Sequence, residues 1–82
     1  MNDDEIRRKI RAKFVSGDLP TQHPTRTWGG PGTGQPCAVC DELIDEGSAE
    51  IEAASADGKK RFYHARCYSL LAAERDKRTR GD

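Results

Sequence analysis

Two short pairs of residues constrain this chain more than anything else in it. Cys37-Ala-Val-Cys40 is followed, after 23 intervening residues, by His64-Ala-Arg-Cys67. The pattern C-x2-C…H-x2-C uses all three cysteines of the chain and one of its two histidines. Four such donors with tight spacing at both ends form a complete ligand set for a structural zinc ion. Zinc prefers a tetrahedron of sulfur and nitrogen at about 2.0–2.3 Å. Two residues between ligands let one tight turn aim Cys37 and Cys40 at the same point, as in a zinc knuckle. His64 and Cys67, three apart, suit the first turn of a helix, where i and i+3 share a face. All four positions are then filled by protein, which leaves no position for a catalytic water.

Other uses of these residues fit less well. Three metal-free buried cysteines would not need matched pairs. A Cys37–Cys40 disulfide in a thioredoxin-like protein would need a βαβ context that this short polar chain does not offer. A Cys67/His64 nucleophile pair lacks an orienting third group and an oxyanion site nearby.

The composition makes a metal staple reasonable. In 82 residues, 34% are hydrophobic and 34% charged, so only a thin core can form. A structural zinc can add about 10–16 kcal/mol of apparent binding energy to folding. The expectation is a small α+β module over residues 37–78, made of a zinc knuckle, a β-hairpin and a C-terminal helix. A short amphipathic helix (1–17) and a Gly/Pro-rich connector (18–36) precede it, and a frayed tail (79–82) follows.

Asn2 with Glu5 resembles a capping box, Asp3 and Asp4 suit the positive end of a helix, and Ile6, Ile10 and Phe14 form one apolar stripe. Gly17 and Pro20 mark the helix end. Pro20, Pro24, Pro31 and Pro36 forbid regular helix in the connector. Its Gly29–Gly34 stretch lacks the Gly-Lys-Ser/Thr ending of a phosphate loop. Leu43 or Ile44 should tuck inward. Residues 49–54 alternate, with Ala49, Ile51 and Ala53 on one face and Glu50 and Glu52 on the other. Ala56-Asp57-Gly58 is a hairpin signal, and Lys60–Tyr63 returns as the second strand to deliver His64. Cys67, Leu70, Leu71 and Glu74 then trace a helical face, and Arg75, Lys77, Arg78 and Arg80 load the helix end with cations.

The knuckle, hairpin and ligand-bearing helix are the arrangement of a treble-clef zinc finger. The Cys37-x2-Cys40-x3-Ile44 opening and the Phe62-Tyr63-His64-x2-Cys67-Tyr68 close resemble poly(ADP-ribose) polymerase-type fingers and the first half of a LIM domain. The likeness covers about residues 37–72, and it places Cys37, Cys40, His64 and Cys67 on those families' ligand positions. The whole chain, including Arg26-Thr-Trp-Gly-Gly-Pro-Gly-Thr-Gly-Gln-Pro-Cys37, also resembles small stand-alone bacterial zinc-finger proteins of unknown function.

Charge and aromatic residues bear on partners. The net charge is zero, which argues against a dedicated nucleic-acid binder, yet the charges are segregated. Residues 41–56 carry six acids and no base, and residues 57–82 carry eight bases and four acids. Trp28 is expected to pack on the core, over the zinc module or against the first helix; the competing reading is an exposed anchor for a partner. The expected function is non-enzymatic: a protein-interaction module using Trp28, the first helix's stripe or the acidic hairpin. The alternative is a nucleic-acid-binding finger, with Lys59, Lys60, Arg61 and Arg66 on phosphates and Trp28 or Tyr63 stacking on bases. A metal-dependent enzyme would need an open coordination position. The charged start, Met1-Asn-Asp-Asp-Glu5, lacks the apolar region of a signal peptide, and no stretch is long enough to span a membrane. With cysteines as ligands, a cytoplasmic setting is expected, with no membrane partner and no small-molecule substrate.

Overall fold

A computed structural model of the chain describes residues 1–79. Five elements follow in order: α1 (Asp3–Ser16), β1 (Arg26–Pro31), β2 (Ala49–Ala54), β3 (Lys60–His64) and α2 (Ala65–Thr79). The strands form one antiparallel sheet in the order β1-β2-β3. The expected frayed tail lies outside the described residues, apart from Thr79 at the end of α2.

Local chemistry explains α1. The Asn2 side chain accepts from the Glu5 N–H at 2.9 Å, and three acids occupy the first turn. Gly17 ends the helix at φ 85°, a left-handed conformation that costs glycine little. Ile6, Ile10 and Phe14 bury the expected stripe. Leu19, Val39, Ile44, Ala53, Tyr63 and Leu71 complete the apolar core together with Cys37, Cys40 and Cys67.

The two helices run parallel. Arg66 of α2 donates to Asp3 of α1, Nε to Oδ1 at 2.8 Å. Roughly two turns further on, Arg11 forms a two-pronged pair with Glu74, at 3.1 and 3.3 Å. Both contacts join residues 63 apart, so the helix starts lie together and so do their ends. Burial alone would raise the Glu74 carboxyl, but Arg11 and Lys77 outweigh it and hold it below the usual carboxylate range. Side-by-side helix ends concentrate negative dipole charge, which Lys77 and Arg78 offset. Arg78 stacks its guanidinium over Phe14, 5.1 Å from the ring centre.

Register fixes the two faces of the sheet. Trp28, Glu52 and Phe62 lie in one row, and Arg26, Ala54 and Lys60 lie in the next row on the same face. Thr27, Ala53 and Arg61, with Gly29, Ile51 and Tyr63, lie on the opposite face, which packs toward α2 through Tyr63 and Tyr68. Glu52 reaches Lys60 diagonally across the β2–β3 pair at 3.7 Å. Ile44, not Leu43, is the residue tucked inward; Leu43 is 67% exposed.

The structure differs from the sequence reading at four places. Part of the 18–36 connector is β1, an edge strand that tolerates Pro31 and two glycines because only one side needs pairing. Trp28 does not enter the core: its ring projects from the outer face and is 41% exposed. Glu50 sits on its expected face but is buried, because Thr33 folds over it; the Thr33 hydroxyl donates to the carboxylate at 2.9 Å. Arg75 does not join the solvent-facing cations. It is buried, and its guanidinium donates to the Pro20 carbonyl at 3.4 Å, pinning the segment after α1.

Gly32 and Gly30 offer a controlled test of this packing. A Cβ on Gly32 would overlap the Asp45 carbonyl oxygen, whereas one on Gly30 would meet nothing within 4 Å. Gly32→Ala is therefore expected to cost about 1–3 kcal/mol or more, and Gly30→Ala to stay within about 0.5 kcal/mol of the parent. Thermal melts of the two variants check this; equal melting temperatures would contradict the close approach of residues 32 and 45.

Candidate metal centre

The first ligand pair rides on a short ribbon. Gly34 N–H donates to Ile44 C=O at 2.8 Å, and Ile44 N–H returns to Gln35 C=O at 2.9 Å. Cys37 N–H then bonds Glu42 C=O at 2.8 Å, and Asp41 N–H bonds Cys37 C=O at 2.9 Å, closing the knuckle. The reversal needs Asp41 at φ 68°, a left-handed position that aspartate tolerates better than most side chains. Lys13 of α1 clasps the turn: its ammonium donates to the Ala38 carbonyl and to Asp41 Oδ1, each at 2.8 Å. That bond holds the Asp41 carboxyl below its ordinary pKa.

The second pair straddles the junction of sheet and helix. His64 is the last residue of β3, and Cys67 lies in the first turn of α2. Ala38 N–H donates to Phe62 C=O at 2.8 Å, which docks the knuckle beside β3. The four donor atoms of Cys37, Cys40, His64 and Cys67 all lie within 4.8 Å of one another. His64 Nδ1 is 3.4 Å from Cys40 Sγ. A tetrahedral zinc with its usual bond lengths would set that edge at ~3.6 Å. The His64 backbone N–H also points at Cys37 Sγ, at 3.4 Å, where it can offset thiolate charge.

Electrostatics show why this group calls for a cation. The Cys67 thiol donates to Cys37 and lowers the Cys37 pKa to about 4. The same contact, with burial and the neighbouring sulfurs, pushes Cys67 strongly upward. Burial raises Cys40 as well, with the Cys37 charge adding to it. Without a positive ion, the site thus accommodates one thiolate readily and resists the second and third. A divalent ion removes that conflict, and the donor set fits one: three soft sulfurs and an imidazole. Met1, Ile6, Glu42 and Arg66 rim the side on which Cys40, His64 and Cys67 approach the surface, which gives an ion a route in.

The other residues singled out in the sequence do not gather into one surface. Tyr63 is 1% exposed and packs edge-on against Tyr68, with ring centres 5.4 Å apart, so no base can stack on it without unpacking the core. Arg61 lies half-buried on the Tyr63 side of the sheet and donates to Ser55 Oγ at 3.0 Å. Arg66 is exposed but engaged by Asp3, where it ties the helix starts together. Trp28 instead has Arg26 and Lys60 over its ring, 5.6 and 5.5 Å from the centre. No sequence pattern singles out Arg26, because its proximity to Lys60 comes only from the pairing of β1 with β2 and β2 with β3. No helix among the described residues is long and apolar enough to cross a membrane.

Metal binding must displace protons from Cys40 and Cys67, so affinity is expected to fall as pH falls. Competition with a chromophoric chelator from neutral to acidic pH reads this directly. Affinity that does not change with pH would contradict thiolate ligation. Cys67→Ser is expected to weaken metal retention and, with it, the folded far-UV signal; a variant that loses metal and keeps its fold would contradict a structural role. No protein-family model, curated protein or solved structure is matched by this chain, so its assignment rests on the donor atoms and their surroundings.

Proposed function

We propose that this chain is a small structural-zinc protein, not an enzyme, and that it works by docking a protein partner. Zinc is the ion that best suits three thiolates and one imidazole in a compact tetrahedral group. Four protein donors would close its coordination sphere and leave no position for substrate or water. The order of ribbon-borne knuckle, hairpin and helix supports the likeness to treble-clef fingers of the poly(ADP-ribose) polymerase and LIM kinds. Thiolate ligands suit a reducing compartment such as the cytoplasm.

One observation carries the docking reading. Trp28, the only tryptophan, stays 41% exposed on an edge strand whose six residues are all exposed. A small domain short of apolar residues would bury that ring if stability alone decided its place. Tryptophan and arginine are among the residues most enriched at the energetic centres of protein interfaces. The same surroundings give the second reading its support, since Arg26 and Lys60 beside an indole also suit a stacked base and its phosphates. Glu52, in the Trp28 row and within reach of Lys60, opposes phosphate there.

Two measurements separate these readings. A photo-crosslinker at position 28 is expected to give protein adducts in cell extract that the same group at Val15, 86% exposed on α1, does not give. Titration of the zinc-loaded protein with duplex and single-stranded DNA at two salt concentrations is expected to show no binding. Affinity for DNA that falls steeply with salt would replace protein docking with the nucleic-acid reading.

A further inference from the structure

The outer edge of β1 is open. Among the described residues β1 pairs only with β2. Gly32 N–H donates to Ser48 C=O at 2.9 Å. By the two-residue alternation of an antiparallel ladder, Gly30 and Trp28 also face β2, while Thr27 and Gly29 turn their N–H and C=O groups outward. Proteins commonly blunt such edges with lysines, prolines or bulges. Here Pro31 stands only at the far end, and Gly29 and Gly30 leave the middle of the edge without side chains to screen the backbone.

The charge around this edge has one sign at one end. Arg26 has the Trp28 ring as a neighbour and no carboxylate partner among the described residues. Lys60 shares its row, and exposed Lys59 follows at the hairpin turn. Glu52 offsets Lys60 alone. A strand laid along β1 would place alternate side chains on the Trp28 face, beside Arg26 and the Trp28 ring, which Lys60 reaches from β3 with its ammonium 5.5 Å from the ring centre.

We infer that β1 is a docking edge that accepts an extended, acidic peptide segment of a partner protein as a fourth strand. The outward Thr27 and Gly29 groups supply the ladder hydrogen bonds, Trp28 covers an apolar side chain, and Arg26 and Lys60 select carboxylates. This assignment rests on the docking reading above and specifies its mode. A second copy of the chain fits less well at this edge, because it would bring another Arg26 and another uncompensated positive charge. Single-stranded nucleic acid would use Trp28 and the cations and leave the outward backbone groups without strand partners.

The test uses a phage-displayed library of random peptides panned on the zinc-loaded full chain. Enriched peptides are expected to alternate Asp or Glu with β-branched or aromatic residues. A synthesised winner, titrated into isotope-labelled protein, is expected to shift the Thr27 and Gly29 amides and slow their exchange. Gly29→Pro removes an outward donor while leaving the ladder to β2 in place. It is expected to weaken binding about tenfold or more. The double reversal Arg26→Glu with Lys60→Glu, which leaves the backbone untouched, is expected to do the same and to favour basic peptides instead. Retained metal and a dispersed spectrum qualify each variant. Enriched peptides without acidic preference, binding indifferent to both variants, dimerisation through β1, or oligo(dT) binding that maps to the same amides would each overturn the inference. Protein adducts at position 28 without peptide selection would overturn strand addition and leave docking itself intact, whereas loss of both would remove both.

Discussion

Three sulfurs and a ring nitrogen converge on one point in this molecule, and the three sulfurs can be thiolates together only with a cation between them. The proposed structural role of zinc rests on that requirement. Cys37, Cys40 and Cys67 are three of the twelve buried members of the core, so the metal centre is part of the core rather than an attachment to it. Around it the chain is tied in from three directions. The Ala38 bond to Phe62 joins the knuckle to β3, the first turn of α2 supplies Cys67, and Lys13 of α1 clasps the knuckle from above. In the structural-zinc reading proposed above, removing the ion would leave the remaining apolar contacts to hold 82 mostly polar residues, which is little for a chain of this length.

With stability assigned to the centre, other surfaces are freer to serve recognition. The parallel helices neutralise each other through Asp3–Arg66 and Arg11–Glu74, and the cations at their ends answer two helix dipoles. Those basic residues therefore have structural work, and their positive charge is not in itself a sign of nucleic acid. Trp28, Arg26 and the open side of β1 have no such internal role. Trp28 and Arg26 lie on the sheet face opposite Tyr63, and Trp28 is 41% exposed there.

Features set by neighbours along the chain are legible in the sequence. Asn2 and Gly17 bound α1, the 49–54 alternation and Gly58 mark the hairpin, and the paired ligand spacings bring four donors together. Features set by distant neighbours are not. β1 looks like a loop because its strand character comes from pairing with β2, 18 to 28 residues later. Size alone would put Trp28 inside, and only the register puts it on the outer face. Glu50 and Arg75 look like solvent-facing charges until Thr33 and Pro20 close over them. Tyr63 looks like a stacking residue until Tyr68 meets it across the strand–helix junction.

X-ray absorption at the zinc edge of the purified protein tests the central claim most directly, since it counts and identifies the atoms around the ion. The expected result is one zinc per chain, three sulfurs at about 2.3 Å and one nitrogen at about 2.0–2.1 Å. An oxygen in that shell, fewer than three sulfurs, or protein that folds without stoichiometric metal would contradict it.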